Sequence, residues 1–185
     1  MKKTKLYITI DPNAVEKQAL SCISQELRAQ FTNGLVNTWE MLHITLHYFR
    51  EVPEDRIADI VLAMKKIAAG LKNFTMLTGR PGFFGPKDSA TVWIGLTEGA
   101  EELSTIHAKL EKLLAKAGFP AEDRPYTPHV TLGREIDVNA FDPPVGETQL
   151  ASVNLSAHAL TLLKSRVVGG KPVYEPLAVV PFKGK

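Results

Sequence analysis

The sequence predicts an α+β fold of two lobes, related by a pseudo-two-fold axis. Each lobe is expected to be an antiparallel sheet with helices packed outside, and a central cleft lies between them. Two observations carry this expectation. Strand-like and helix-like segments are mixed without strict βαβ alternation, which argues against a doubly wound parallel sheet. A strand–helix–strand unit also recurs. Leu6-Tyr7-Ile8-Thr9-Ile10 resembles Val92-Trp93-Ile94-Gly95-Leu96, and His43-Ile44-Thr45-Leu46 resembles His129-Val130-Thr131-Leu132. Both pairs are displaced by 86 positions (7 to 93, 43 to 129), so the repeat is free of gaps. The whole of 1–185 is read as a single bilobal domain, a size that needs no disulfide or metal to stabilise its core.

Each element follows from local pattern. Lys5 to Ile10 is a short β-branched run and reads as a strand. Asp11-Pro12 then reads as a helix start. Val15, Ala19, Leu20, Ile23, Leu27 and Phe31 recur at helical spacing until Gly34. Met41 to Tyr48 is a strand, and Pro53 to Ala69 a second amphipathic helix stopped by Gly70. Phe74 to Thr78 and Thr91 to Leu96 are strands joined by a Gly- and Pro-rich loop over Gly79 to Pro86. Ala100 to Ala117 is a third helix, with Leu103, Ile106, Leu110, Leu113 and Leu114 inside. His129 to Leu132 is a strand, and Ala140 to Gly146 a loop. Thr148 to Lys164 holds one long or two short strands, and Pro172 to Val180 the last.

Composition bounds the function. Cys22 is the only cysteine, which excludes an intrachain disulfide and any zinc site with several cysteine ligands. One free thiol fits a reducing cytoplasm. The apolar run after Met1-Lys2-Lys3-Thr4-Lys5 is too short for a signal-peptide core, and no stretch is long enough for a membrane span. Lys+Arg of 22 against Asp+Glu of 20 leaves +2, a balance that neither demands nor excludes a nucleic-acid partner.

The chemistry lies in the repeated strands. Alternate side chains of a strand share a face, so His43 and Thr45 point one way, and His129 and Thr131 do likewise. Brought together, they offer two imidazoles and two hydroxyls. A neutral imidazole can take a proton from an attacking water or hydroxyl, while an imidazolium gives one to a leaving oxygen. Histidine near its ordinary pKa of about 6.5 supplies both forms. Threonine hydroxyls can donate to phosphate oxygens. This set suits phosphodiester cleavage without metal. Two rival classes remain: an RNA- or nucleotide-binding module without turnover, and a metal-dependent hydrolase. The chain has no helical His-Glu-x-x-His.

The motifs resemble those of the 2H phosphoesterases, and within them the RNA 2′,3′-cyclic phosphodiesterases, also called 2′-5′ RNA ligases. Trp39 to Leu46 resembles the first motif, Gly82 to Gly85 with Val92 to Leu96 the central hairpin, and Arg124 to Arg134 the second motif. The resemblance implies a cleft enzyme that opens a 2′,3′-cyclic phosphate to a 2′-phosphate, with 2′-5′ joining as the reverse reaction. It implies His43 as proton donor and His129 as base, an order that the residues alone leave open. It further implies phosphate binding by Thr45, Thr131 and Arg134. Strict alternation would turn Arg134 away from His129, so it reaches the cleft only if the strand ends or bulges near Gly133, which a glycine permits. The chain departs from the family after the first motif: Tyr48-Phe49-Arg50 stands where Phe-Leu-Gly is common. The expected enzyme is a cytoplasmic monomer that acts on RNA ends or cyclic nucleotides, with no cofactor and no membrane partner. His47 is placed on the face of His43. Tyr126, Phe84, Phe49 and Trp39 are candidate base-stacking residues, and Arg80, Lys87 and Arg124 candidate phosphate contacts. His107 and His158 are assigned structural roles.

Overall fold

The computed structural model describes residues 3–31, 33–122 and 124–183. Met1 and Lys2, which head the run read against a signal peptide, lie outside them. The first unit is β1 (Lys3–Ile10), α1 (Ala14–Arg28), a two-residue β2 (Leu35–Val36) and β3 (Ile44–Pro53), followed by α2 (Ile57–Ala68). The second is β4 (Phe74–Phe84), β5 (Ala90–Glu98), α3 (Ala100–Lys116) and β6 (His129–Ile136). Strands β7 (Asn154–Ala157), β8 (Ala159–Val168) and β9 (Lys171–Pro181) close the chain.

All pairings are antiparallel, and the order is β7-β4-β5-β6-β3-β1-β8-β9, with β2 beside β6. Apart from β2, four strands thus lie on each side of the β6–β3 junction. There the two halves join through one β3–β6 register pair, Ile44 with Val130, and through β2 of the first half, whose Leu35 and Val36 pair with Arg134 and Gly133 of β6, so the two expected sheets run into one curled sheet. The helices cover one face, where Leu6, Ile8, Ile44, Leu46, Val92, Ile94, Val130 and Leu132 are all buried to 1% exposure or less. Burial on this scale is what fixes register, because a slip of one residue would exchange core and solvent faces.

Several boundaries differ from the sequence expectation. The cap of α1 is Asn13, not Asp11: its side chain accepts from the Val15 and Glu16 amides, and the Glu16 carboxylate accepts from the Asn13 amide. This is a capping box, read from an Asn followed three residues later by Glu. Val15, placed on the buried stripe by spacing, is exposed. The expected Gly79–Pro86 loop is largely strand, since β4 runs on to Phe84 and Pro81 pairs with Ile94. Register shifts around Thr78 and Pro81 absorb the proline. Gly82 is needed there, because a Cβ would stand 2.4 Å from the Trp93 ring.

Gly133 sits where β2 crosses β6. A Cβ there would meet the Leu35 carbonyl oxygen at 2.8 Å and the Ile136 Cδ1 at 2.7 Å. Gly133→Ala is expected to push β2 off the sheet and cost about 1–3 kcal/mol, measured by urea denaturation. An unchanged midpoint would mean that β2 is not held against β6.

Candidate active site

The junction pair sets the site. Continuing the antiparallel register by one residue either way from Ile44 and Val130 puts His43 opposite Thr131, and Thr45 opposite His129. Directly opposed residues share a face. Each imidazole therefore faces the other motif's hydroxyl, and the two imidazoles occupy a diagonal. In a regular pair, diagonal neighbours stand about 7–8 Å apart, which leaves room for a tetrahedral group between them. His43, Thr45, His129, Thr131 and Arg134 all line one cleft.

Arg134 reaches it through a bulge. Val92 pairs with Gly133 but Trp93 pairs with Thr131, so Leu132 is the extra residue and the alternation resets at the glycine. Asn37 supports this stretch. Its side-chain amide donates to the Thr131 carbonyl at 2.8 Å, and its backbone amide donates to that of Leu132 at 2.8 Å.

A second bulge overturns the expectation for His47. Ile8 pairs with His47 while Thr9 pairs with Thr45, so alternation breaks at Leu46. His47 turns to the helix side, 2% exposed, and its Nδ1–H donates to the Glu111 carboxylate of α3. Tyr48 takes the cleft face instead, against Tyr7 at 4.7 Å between ring centroids. Helix α3 holds this irregularity. His107 Nδ1–H donates to the Leu46 carbonyl at 2.7 Å. The Glu122 amide donates to Glu111, and the Glu122 carboxylate accepts from the Tyr48 amide at 2.7 Å. His107 also stacks on Tyr126 at 4.2 Å. Tyr126 is therefore committed to α3, and Phe49 to Phe119 in the core; neither offers a face for a base. Phe84 does stand by the site, edge-on to His129 at 5.1 Å. Trp39, in a short 3-10 turn before β3, Arg80, Lys87 and Arg124 are exposed, and none of them lines the cleft among the described residues.

Sequence reasoning missed four cleft-lining residues: Tyr7, Asn37, Met41 and Tyr174. Tyr7 was visible only as a strand residue. Tyr174 comes from the last strand and packs edge-on to His43 at 5.1 Å and to Tyr7 at 5.5 Å. Nothing local to it marks a site.

The two histidines differ electrostatically. His43 is 8% exposed, and its Nδ1 has no hydrogen-bond partner among the described residues. Burial pushes its pKa down to about 3, and the positive charges of Lys17, Arg134 and His129 add to this. Lys17 lies on α1 in an ion pair with Asp11 at 2.7 Å. His129 is also lowered, first by burial. A hydrogen bond from its Nδ1–H to the Thr127 carbonyl, at 2.6 Å, works the other way, and Arg134 lowers it further. A carbonyl can only accept, so His129 Nδ1 carries a proton and the neutral ring keeps its lone pair on Nε2.

The sequence model of the 2′-5′ RNA ligase superfamily matches residues 12–169. An RNA 2′,3′-cyclic phosphodiesterase of Thermotoga maritima is 26% identical, over 97% of this chain and 96% of its own. One from Aeropyrum pernix is 31% identical, over 75% of this chain and 80% of its own. The crystal structure of Escherichia coli LigT complexed with 3′-AMP has the same fold, with a TM-score of 0.79 at 23% identity, covering 98% of this chain and 99% of that one. Together with the two His-x-Thr strands at one junction, these matches place the chain in the 2′-5′ RNA ligase superfamily.

Proposed function

We propose that this protein is an RNA 2′,3′-cyclic phosphodiesterase that opens the cyclic phosphate to a 2′-phosphate by two-histidine acid–base catalysis. The observation that carries the reading is the junction itself, where two His-x-Thr strands and Arg134 converge on one cleft. The relatives from Thermotoga maritima and Aeropyrum pernix bear the name of this activity.

The cyclic phosphate sits between the imidazoles. Thr45, Thr131 and Arg134 donate to its non-bridging oxygens and carry the charge that builds as water adds. His129, with its tautomer held by the Thr127 carbonyl, takes the proton of the attacking water at Nε2. The phosphorus–O3′ bond breaks, and His43 gives a proton to O3′. The product is a 2′-phosphate beside a free 3′-hydroxyl, and the two histidines have exchanged protonation states. A 5′-hydroxyl in place of water would give a 2′-5′ linkage by the same steps. No step calls for a metal.

His43 must be protonated to act as the acid, yet in the free cleft it is neutral at pH 7. The bound phosphate resolves this. Its negative charge offsets the field of Lys17 and Arg134 and favours imidazolium. The acid is thus loaded by the substrate.

The direct test uses an RNA ending in a 2′,3′-cyclic phosphate, in excess EDTA. Wild type is expected to yield a 2′-phosphate, and His43→Ala and His129→Ala each to lose at least about 10²-fold in kcat. Loss of wild-type activity in EDTA would overturn the metal-free mechanism, and no product with or without metal would overturn the activity. A second test reads His43 by linkage. Its folded pKa lies below its unfolded one, so its contribution is full above about pH 6.5 and is lost as pH falls toward 3. Between pH 7 and pH 5, wild type is expected to lose ~2 kcal/mol more stability than His43→Gln, as read from urea midpoints. An equal loss in both would mean that His43 titrates normally. A third test concerns the bulge. His107→Ala is expected to lower kcat by about tenfold with KM little changed, because misplacement of the reacting groups costs rate. His107→Asn, which can keep the donor to Leu46, should recover part of it, and equal kcat in all three would remove α3 from the positioning of the strand.

A further inference from the structure

The cleft face does not end at the reacting groups. Beyond His43 it continues as a tyrosine cluster, with Tyr7 against Tyr48 at 4.7 Å and Tyr174 at 5.5 Å between ring centroids. Further out along the same strands the face turns basic. In β1 the core side is Thr4, Leu6 and Ile8, while Lys3, Lys5 and Tyr7 point the other way. In β3, Phe49 is buried against Phe119, so Tyr48 and Arg50 flank it on the cleft side. Lys5 and Arg50 thus follow the tyrosines by one two-residue step, about 6.7 Å.

Their charges are free. Lys3 is paired with Glu51 at 2.9 Å, whereas Lys5 and Arg50 form no ion pair among the described residues. The local field is positive: Glu51 is held below the usual carboxylate range by its hydrogen bond from Lys3, with Arg50 and Lys5 contributing.

We propose that Tyr7, Tyr48, Lys5 and Arg50 form a subsite for the nucleotide preceding the cyclic end, so that this enzyme prefers an oligoribonucleotide to a mononucleoside cyclic phosphate. The inference rests on the phosphodiesterase reading above, in which the ribose that loses its bond to phosphorus lies on the His43 side. The RNA body then runs outward over the tyrosines. Aromatic faces stack bases without regard to sequence, and unpaired cations take the next phosphate. The opposite wing, past His129, has Phe84 and Trp93 with Arg80 on β4. It lies on the side of the attacking water and serves as the control.

The experiment compares kcat/KM for a trinucleotide ending in 2′,3′-cyclic phosphate with that for a mononucleoside 2′,3′-cyclic phosphate, in wild type, Lys5→Ala/Arg50→Ala and Arg80→Ala. Wild type is expected to favour the trinucleotide by about tenfold or more, and the double variant to lose most of that ratio. Affinity for the trinucleotide should also become less salt-dependent, its log–log slope falling by about 0.7 for each phosphate contact removed. Arg80→Ala should keep the ratio. A wild type that opens both substrates equally would overturn the subsite while leaving the phosphodiesterase reading intact. So would a double variant that keeps the ratio, or a loss carried by Arg80→Ala instead. A wild type that opens neither substrate would overturn both.

Discussion

The backbone pairing of Ile44 with Val130 is the constraint on which the site depends. Together with the pairing of β2 on β6, it brings the two halves of the chain into one sheet, and it decides which side chains confront each other. The apolar members of both motifs, Ile44, Leu46, Val130 and Leu132, are buried beneath it. That burial locks the register, because a slip would carry imidazoles into the core and isoleucine into the cleft. The same alternation that fills the core therefore aims His43, Thr45, His129 and Thr131 outward. Stability and chemistry are two faces of one pair of strands.

Alternation alone would still build the wrong site. Arg134 would point away from the cleft and His47 into it. Two bulges, at Leu132 and at Leu46, correct both. A bulge leaves backbone groups outside the regular ladder, and each here finds a partner. Asn37 answers the carbonyls of Thr131 and Leu132, and His107 that of Leu46. Helix α3 further anchors the neighbourhood by taking His47 onto Glu111, which also accepts the amide of Glu122. Through Glu122 and Tyr126, the same helix holds the segment that leads to Thr127 and His129. These polar contacts on the helix side of the sheet tie both β3 and the segment before β6 to one helix.

This division explains what could be read from the chain. The His-x-Thr motifs, the helices and the two-lobed plan were legible because each is written in local periodicity or in a repeat of constant spacing. A bulge near Gly133 was legible as one of two ways for Arg134 to reach the cleft, the other being an early end to the strand, and the extra residue is Leu132. The bulge at Leu46 carries no glycine and no proline, so His47 was placed on the wrong face. The second half of β4 was read as a loop because Gly79, Pro81 and Gly82 look like turn residues. Gly82 is instead small for the sake of the Trp93 ring, a contact set by register. Tyr174, about 130 residues from His43 in sequence, reaches the cleft only through the path of β8 and β9.

A two-fold arrangement has a difficulty as an acid–base catalyst, since equivalent motifs yield equivalent histidines and the reaction needs one of each kind. The symmetry is broken outside the strands. His129 follows Thr127-Pro128, whose backbone turns a carbonyl onto Nδ1 and fixes a neutral ring with its lone pair toward the cleft. His43 follows the short 3-10 turn at Trp39–Met41 and has no such partner among the described residues. It is buried more deeply and lies in the field of Lys17 from α1. In the proposed mechanism the first is a base at rest, and the second becomes an acid only when an anion cancels the surrounding positive charge. The strand register gives the pair its geometry, and the unlike segments that feed the two strands give it direction.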